Sequence, residues 1–124
     1  MLATSEVIEV VAKKVAEHNL THLVLDPVMV SKSGARLLAA GAVGAMVDLL
    51  FPLAEIITPN TEEASDILGI DPITNLDEMK NAAHLLFKLG AKSVLLKGGH
   101  ITKGAIDVFF EGGEPIIFQG PHID

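Results

Sequence analysis

A chain of 124 residues with 49% hydrophobic content is one domain, or part of one, with enough apolar surface for a real core. Its formal net charge of -7 argues against a binder of nucleic-acid backbones, and the absence of Trp and Tyr removes the platforms on which single strands stack. With no cysteine there is no disulfide framework, thiolate metal site or cysteine nucleophile, a usage compatible with the reducing cytoplasm, where the protein is expected to reside.

The start lacks the basic n-region of a secretory signal. Thr4 is a plausible N-cap, and Val7, Val11 and Val15 recur at i, i+4, i+8 with Ile8 alongside. Glu6, Glu9, Lys13, Lys14 and Glu17 fill the other face, so the pattern predicts an amphipathic helix ending near His18 and Asn19. In an α/β domain a helix normally follows a strand, so this opening reads as the middle of a repeat.

Leu23, Val24 and Leu25 form a short, wholly apolar strand of the kind buried on both faces of a parallel sheet. It runs into Asp26-Pro27-Val28-Met29. A carboxylate at the carboxyl end of a parallel strand sits where α/β sheets bind ligands, although an Asp-Pro turn is the commoner explanation. Ser31-Lys32-Ser33-Gly34 is a polar loop. Residues 35–50 read as a second helix, with Leu37, Leu38, Val43, Met46, Val47 and Leu50 on a broad apolar face, ended by Pro52. Leu37 to Val47 is the most apolar run and is too short to span a bilayer, so no membrane partner is expected.

The next stretch, Glu55-Ile-Ile-Thr-Pro-Asn-Thr-Glu-Glu-Ala64, carries the strongest functional signal. Ile56 and Ile57 end a buried strand, and Thr58-Pro59 stop it. Asn60 and Glu63 then stand three apart at the first turn of a helix, the spacing of a capping box. The same spacing serves a ligand. A helix N-terminus offers free amides to phosphates, and a carboxylate beside those phosphates is useful if it holds a cation, usually magnesium. Spacing alone leaves both readings open.

This helix runs to Leu68 with Gly69 at its C-terminal turn. Asn75 caps another, with Glu78 at the capping-box position and Met79, Ala82, Ala83, Leu86 and Leu89 as the apolar stripe, closed by Gly90. A second Asn-x-x-Glu shows that the chain uses the pattern structurally. Ser93 to Leu96 is the third buried strand and delivers Lys97-Gly98-Gly99-His100. A lysine and bare glycine amides at a strand end suit phosphates; a glycine turn with a solvated lysine is the alternative. It is not a Walker A loop, because the lysine precedes the glycines. Residues 105–110 and 115–119 read as two strands around Glu111-Gly112-Gly113-Glu114, with Gly-Gly as a tight hairpin turn.

Right-handed crossovers would bring Asp26, Asn60 and Lys97 to one edge of the sheet, and their coincidence points to a site for an anionic ligand, with a cation. The segments Leu25-Asp-Pro-Val-Met-Val30, Thr58-Pro-Asn-Thr-Glu-Glu-Ala64 and Val94-Leu-Leu-Lys-Gly-Gly-His100 resemble the hydroxymethylpyrimidine/phosphomethylpyrimidine kinases of thiamine biosynthesis, in the ribokinase-like superfamily. The first two motifs are shared with pyridoxal kinases. Lys-Gly-Gly-His and Val30-Ser-Lys-Ser-Gly34 tilt the resemblance toward the pyrimidine kinase, with pyridoxal as the runner-up substrate.

The resemblance implies a three-layer αβα, ribokinase-like parallel sheet, incomplete and ending in a β-hairpin, with residues 1–124 as the central part of one kinase domain. It implies ATP and Mg2+ as cofactors. Glu63 matches a carboxylate that helps hold magnesium, Asn60 a partner of the nucleotide phosphates, and Asp26 an acid near the metal and the transferred group. Lys97 matches a lysine on the ATP phosphates, Gly98 and Gly99 the turn beside the nucleotide, and Val28 and Met1 walls of the pyrimidine pocket. The full-length protein is then expected to be a homodimer. The family's glycine-rich N-terminal segment and its C-terminal Gly-Thr-Gly-Cys anion hole have no match, so this chain alone is expected to lack significant activity. The alternative from another class is a non-catalytic α/β module that binds a nucleotide or a partner.

Overall fold

The computed structural model describes residues 4–27, 42–99 and 105–120. Met1, Val28, the Ser31–Gly34 loop, Leu37, Leu38 and His100 lie outside them. Five strands form one sheet in the order β1-β2-β3-β4-β5: Leu23–Leu25, Ala54–Ile57, Val94–Lys97, Ala105–Phe110 and Ile116–Gly120. β1, β2 and β3 run parallel, while β4 and β5 form an antiparallel extension. The helices are α1 (Ser5–Glu17), α2 (Ala42–Ala45), α3 (Thr61–Leu68) and α4 (Leu76–Lys88). The α/β class, the parallel strands and the terminal hairpin are therefore as the sequence implied.

Each helix has a local cause. Thr4 caps α1 by accepting the Val7 amide at 3.3 Å. Its buried line is Ile8, Ala12 and Val15, which faces α2 and the segment after it. Val7 and Val11, expected on that line, are 44% and 43% exposed: three apolar rows compete on this helix, and the neighbours cover only one. α4 buries Met79, Ala82, Ala83 and Leu86 against β3 and β4, and covering Met79 and Leu86 stabilises by about 1.5–3 kcal/mol each. Phe110 of β4 meets His84 and Phe87 of α4 edge-on.

Three expectations need correcting. The helix over 42–50 widens to π geometry at Met46–Leu50 and tightens to a 3-10 turn at Phe51–Leu53. Pro52 explains this, since its ring would strike the carbonyl four residues back in a regular α-helix. The change aims Met46, Leu50 and Phe51 into the core. The hairpin is not a two-residue Gly-Gly turn: Glu111 to Pro115 all separate the strands, with Gly112 at φ +106° against Phe87. Finally, β1 is an edge strand among the described residues and Val24 is 63% exposed, so this apolar run is not buried on both faces.

The core is one contiguous cluster on the helical side of the sheet, where Ile57, Val94, Leu96, Val108 and Phe110 point. The alternate positions Val24, Ile56, Leu95, Phe109 and Ile116 share the opposite face, as the pairings Val24–Ile56, Leu95–Phe109 and Phe109–Ile116 require. The described residues thus build two of the three expected layers. No helix among them is long and apolar enough to cross a membrane.

Candidate functional site

Because β1, β2 and β3 are parallel, the turns after them leave the same edge of the sheet. Backbone bonds lock that edge. Thr58 donates to the Leu25 carbonyl at 3.0 Å, Lys97 donates to the Pro59 carbonyl at 2.9 Å, and Asn60 and Lys97 form a parallel bridge. The Lys97 ammonium lies 4.0 Å from Asp26 Oδ1, with both side chains about half exposed. The three turns singled out in the sequence are therefore together in space. An exposed pair at that distance contributes little stability, so Lys97 is loosely held and available to an anion.

Asn60 and Glu63 make a complete capping box. The Asn60 amide donates to Glu63 Oε1 at 2.9 Å, and the Glu63 amide donates to Asn60 Oδ1 at 2.7 Å. The Glu63 residue is 9% exposed. This cap consumes two of the first four amides of α3, those of Asn60 and Glu63; the other two, of Thr61 and Glu62, have no backbone partner among the described residues. A pocket of about 270 Å3 opens there, lined by Asn60, Thr61, Glu62, Lys97 and Gly99. Glu63, expected to hold a metal, is turned into the cap and is absent from that lining.

The two glycines differ. The Gly98 amide is directed into the sheet, donating to the Ile106 carbonyl at 2.9 Å and to Asp107 Oδ1 at 3.3 Å. A Cβ at Gly98 would collide with Met79, so glycine is required there for the approach of α4. A Cβ at Gly99 would meet nothing within 4 Å, and Gly99 borders the pocket.

Thr61, Glu62 and Asp107 are site residues that the sequence reading passed over. Glu62 carries no signal beyond its neighbours, because only the helical angle tells which carboxylate faces out. Asp107 had one: an aspartate interrupts an otherwise apolar strand, where it is disfavoured. Among the described residues no group of three or more His, Asp or Glu side chains is arranged to hold a metal ion. One or two carboxylates with phosphate oxygens suffice for magnesium, however, and Asp26, Glu62 and Glu63 offer that much.

A family model described as phosphomethylpyrimidine kinase matches residues 1–124. The chain is 43% identical over 124 residues to the thiamine biosynthesis bifunctional protein ThiED of Geobacter sulfurreducens, covering 99% of this chain and 25% of that protein. It is 38% identical over 126 residues to the hydroxymethylpyrimidine/phosphomethylpyrimidine kinase of Bacillus subtilis, covering 100% of this chain and 46% of the other. Among solved structures, an ADP complex of Bacillus subtilis pyridoxal kinase superposes with a TM-score of 0.87 at 35% identity, over 100% of this chain and 45% of that one. The chain spans about half the length of these two Bacillus subtilis kinases.

Proposed function

Because the chain belongs to the phosphomethylpyrimidine kinase family, we propose that its residues form the nucleotide-phosphate site of an ATP-dependent kinase. The acceptor is 4-amino-5-hydroxymethyl-2-methylpyrimidine or its monophosphate, in thiamine biosynthesis. The observation that carries this is the shared edge of β1, β2 and β3, where an ammonium, two open helix amides and an open glycine face one pocket.

Each residue then has a defined task. Lys97 and the amides of Thr61, Glu62 and Gly99 bind phosphate oxygens, where charge builds during transfer. Asn60 fixes the helix start and lines the pocket. Asp26 and Glu63, with Glu62 beside them, are the carboxylates toward which magnesium would be held, entering with the nucleotide because no ready-made cage exists among the described residues. Magnesium supplies charge neutralisation of the phosphates when bound. Val28 and Met1 remain the proposed walls of the pyrimidine pocket. Cytoplasmic location, a homodimeric full-length protein and a small-molecule partner rather than nucleic acid or membrane go with this reading, and the net charge of -7 supports the exclusion of nucleic acid.

The test is phosphorus NMR of the protein, as its gene encodes it, with ATP, Mg2+ and either the pyrimidine alcohol or pyridoxal. Phosphorylated pyrimidine is the expected product. Preference for pyridoxal, favoured as second reading by the ADP-bound pyridoxal kinase neighbour, would replace the substrate but keep the kinase. Nucleotide binding without turnover of either acceptor would replace the kinase by a binding module.

A further inference from the structure

Asp107 lies directly across the antiparallel ladder from Lys97. The Gly98 amide bonds the Ile106 carbonyl, which makes 98/106 a hydrogen-bonded position and 97/107 the non-hydrogen-bonded kind, where facing side chains approach most closely. Lys97 thus has Asp26 4.0 Å from its ammonium and Asp107 as its register partner in β4. Asp107 also gives the Gly98 amide its second acceptor, at 3.3 Å. Asp107 therefore stands opposite the lysine in register, and its side chain bonds the peptide that follows it. The residue is half-buried, and an aspartate there interrupts a strand otherwise composed of Ala, Ile, Val and Phe.

We propose that Asp107 is a positioning residue for phosphate binding. Its carboxylate anchors the Lys97–Gly98–Gly99 corner, so that the Gly98 amide stays turned into the sheet while Gly99 and the Lys97 ammonium face the pocket. The proposal rests on the nucleotide-site reading above. Without the anchor, the Gly98 peptide keeps only its ladder bond to Ile106, while Lys97 stays tied to Pro59 through its own amide. The peptide after Lys97 can then tilt, which spreads the Gly99 amide over several orientations and weakens its joint grip with Lys97 on phosphates.

The experiment compares Asp107→Ala with Asp107→Asn, which keeps the acceptor oxygen and removes the charge. Two readouts are taken: the dissociation constant for MgATP by calorimetry, and amide hydrogen exchange at Gly98 and Gly99 by NMR. Asp107→Ala is expected to weaken MgATP about tenfold and to speed exchange about tenfold at these two amides, with exchange in α4 unchanged. Asp107→Asn is expected to stay within about threefold of wild type in both. Equal loss in the two variants would overturn the hydrogen-bond role, and unchanged MgATP affinity in Asp107→Ala would overturn the role in binding. Faster exchange spread through α4 would mean a general loss of fold and would likewise overturn the proposal. Absence of MgATP binding by the wild type would instead sink the nucleotide reading; the exchange readout would still decide whether Asp107 anchors the corner.

Discussion

At Gly98 a methyl group would strike Met79 Cε and stand 2.7 Å from the Ile106 carbonyl oxygen, whereas at Gly99 it would enter open space. Two adjacent glycines thus differ: Gly98 is required by the packing of α4, while Gly99 borders the pocket, where a methyl would enter open space. Gly98→Ala is expected to destabilise by about 1–3 kcal/mol, because one of the crowded atoms is backbone and cannot swing aside. Gly99→Ala should leave stability within about 0.5 kcal/mol and weaken MgATP. Urea unfolding and calorimetry separate the two, and equal loss of stability in both variants would refute the distinction. Glu63 makes the same point in another form. Its side chain already serves the fold through the Asn60 amide, so any service to a cation is shared with the cap.

Two helices begin with Asn-x-x-Glu, and the structure uses the motif differently in each. In α3 the box closes on itself. In α4, Asn75 Oδ1 accepts the Glu78 amide at 2.8 Å, but the Glu78 carboxylate accepts chiefly from the amide and hydroxyl of Thr74, both at 2.8 Å. Those bonds from Thr74, the backbone one foremost, hold the Glu78 carboxyl below its ordinary value of 4.5, against a smaller opposing effect of desolvation. A depressed acid stabilises the fold above its unfolded value and loses that contribution as pH falls through the folded one. Glu78→Gln should therefore lower the melting temperature at pH 7, with the difference from wild type shrinking below about pH 4.5 and vanishing under the folded value. A difference that does not shrink as pH falls below about 4.5 would count against this. Helix ends were legible in the sequence because caps are local: Thr4, Asn60 and Asn75 at three starts and Gly69 at one end all stand where spacing placed them. The covered row of α1, the π widening before Pro52 and the exposure of Val24 were not, because each depends on what packs alongside. For the site, the three turns could be read from strand ends and parallel topology. Thr61 could not, since helical angle decides what lines the pocket, and the aspartate that interrupts β4 marked Asp107 as unusual without showing its partner, which cross-strand register decides.

Over the whole molecule, the sheet face away from the helices carries an apolar row across all five strands. Val24, Ile116 and Phe118 on the two edge strands are 63%, 49% and 54% exposed. Apolar edge strands promote association. The 124-residue chain is expected to self-associate, and the double variant Val24→Thr, Phe118→Lys should raise its apparent dissociation constant at least about tenfold by sedimentation velocity. Unchanged sedimentation would show that this face does not drive it. The strand order has a separate consequence, for the path by which the chain folds. Each strand pairs with its successor in the chain, yet the distances along the chain are unequal. β4 and β5 meet across a short turn, and α4 lies next to β3 in sequence, so these close first at low entropic cost. The β1–β2 and β2–β3 pairings span a whole crossover and are expected to close last. The edge proposed to hold phosphates is made of those longer-range pairings, so it is expected to be completed late in folding, and a ligand held there is expected to slow unfolding rather than speed folding.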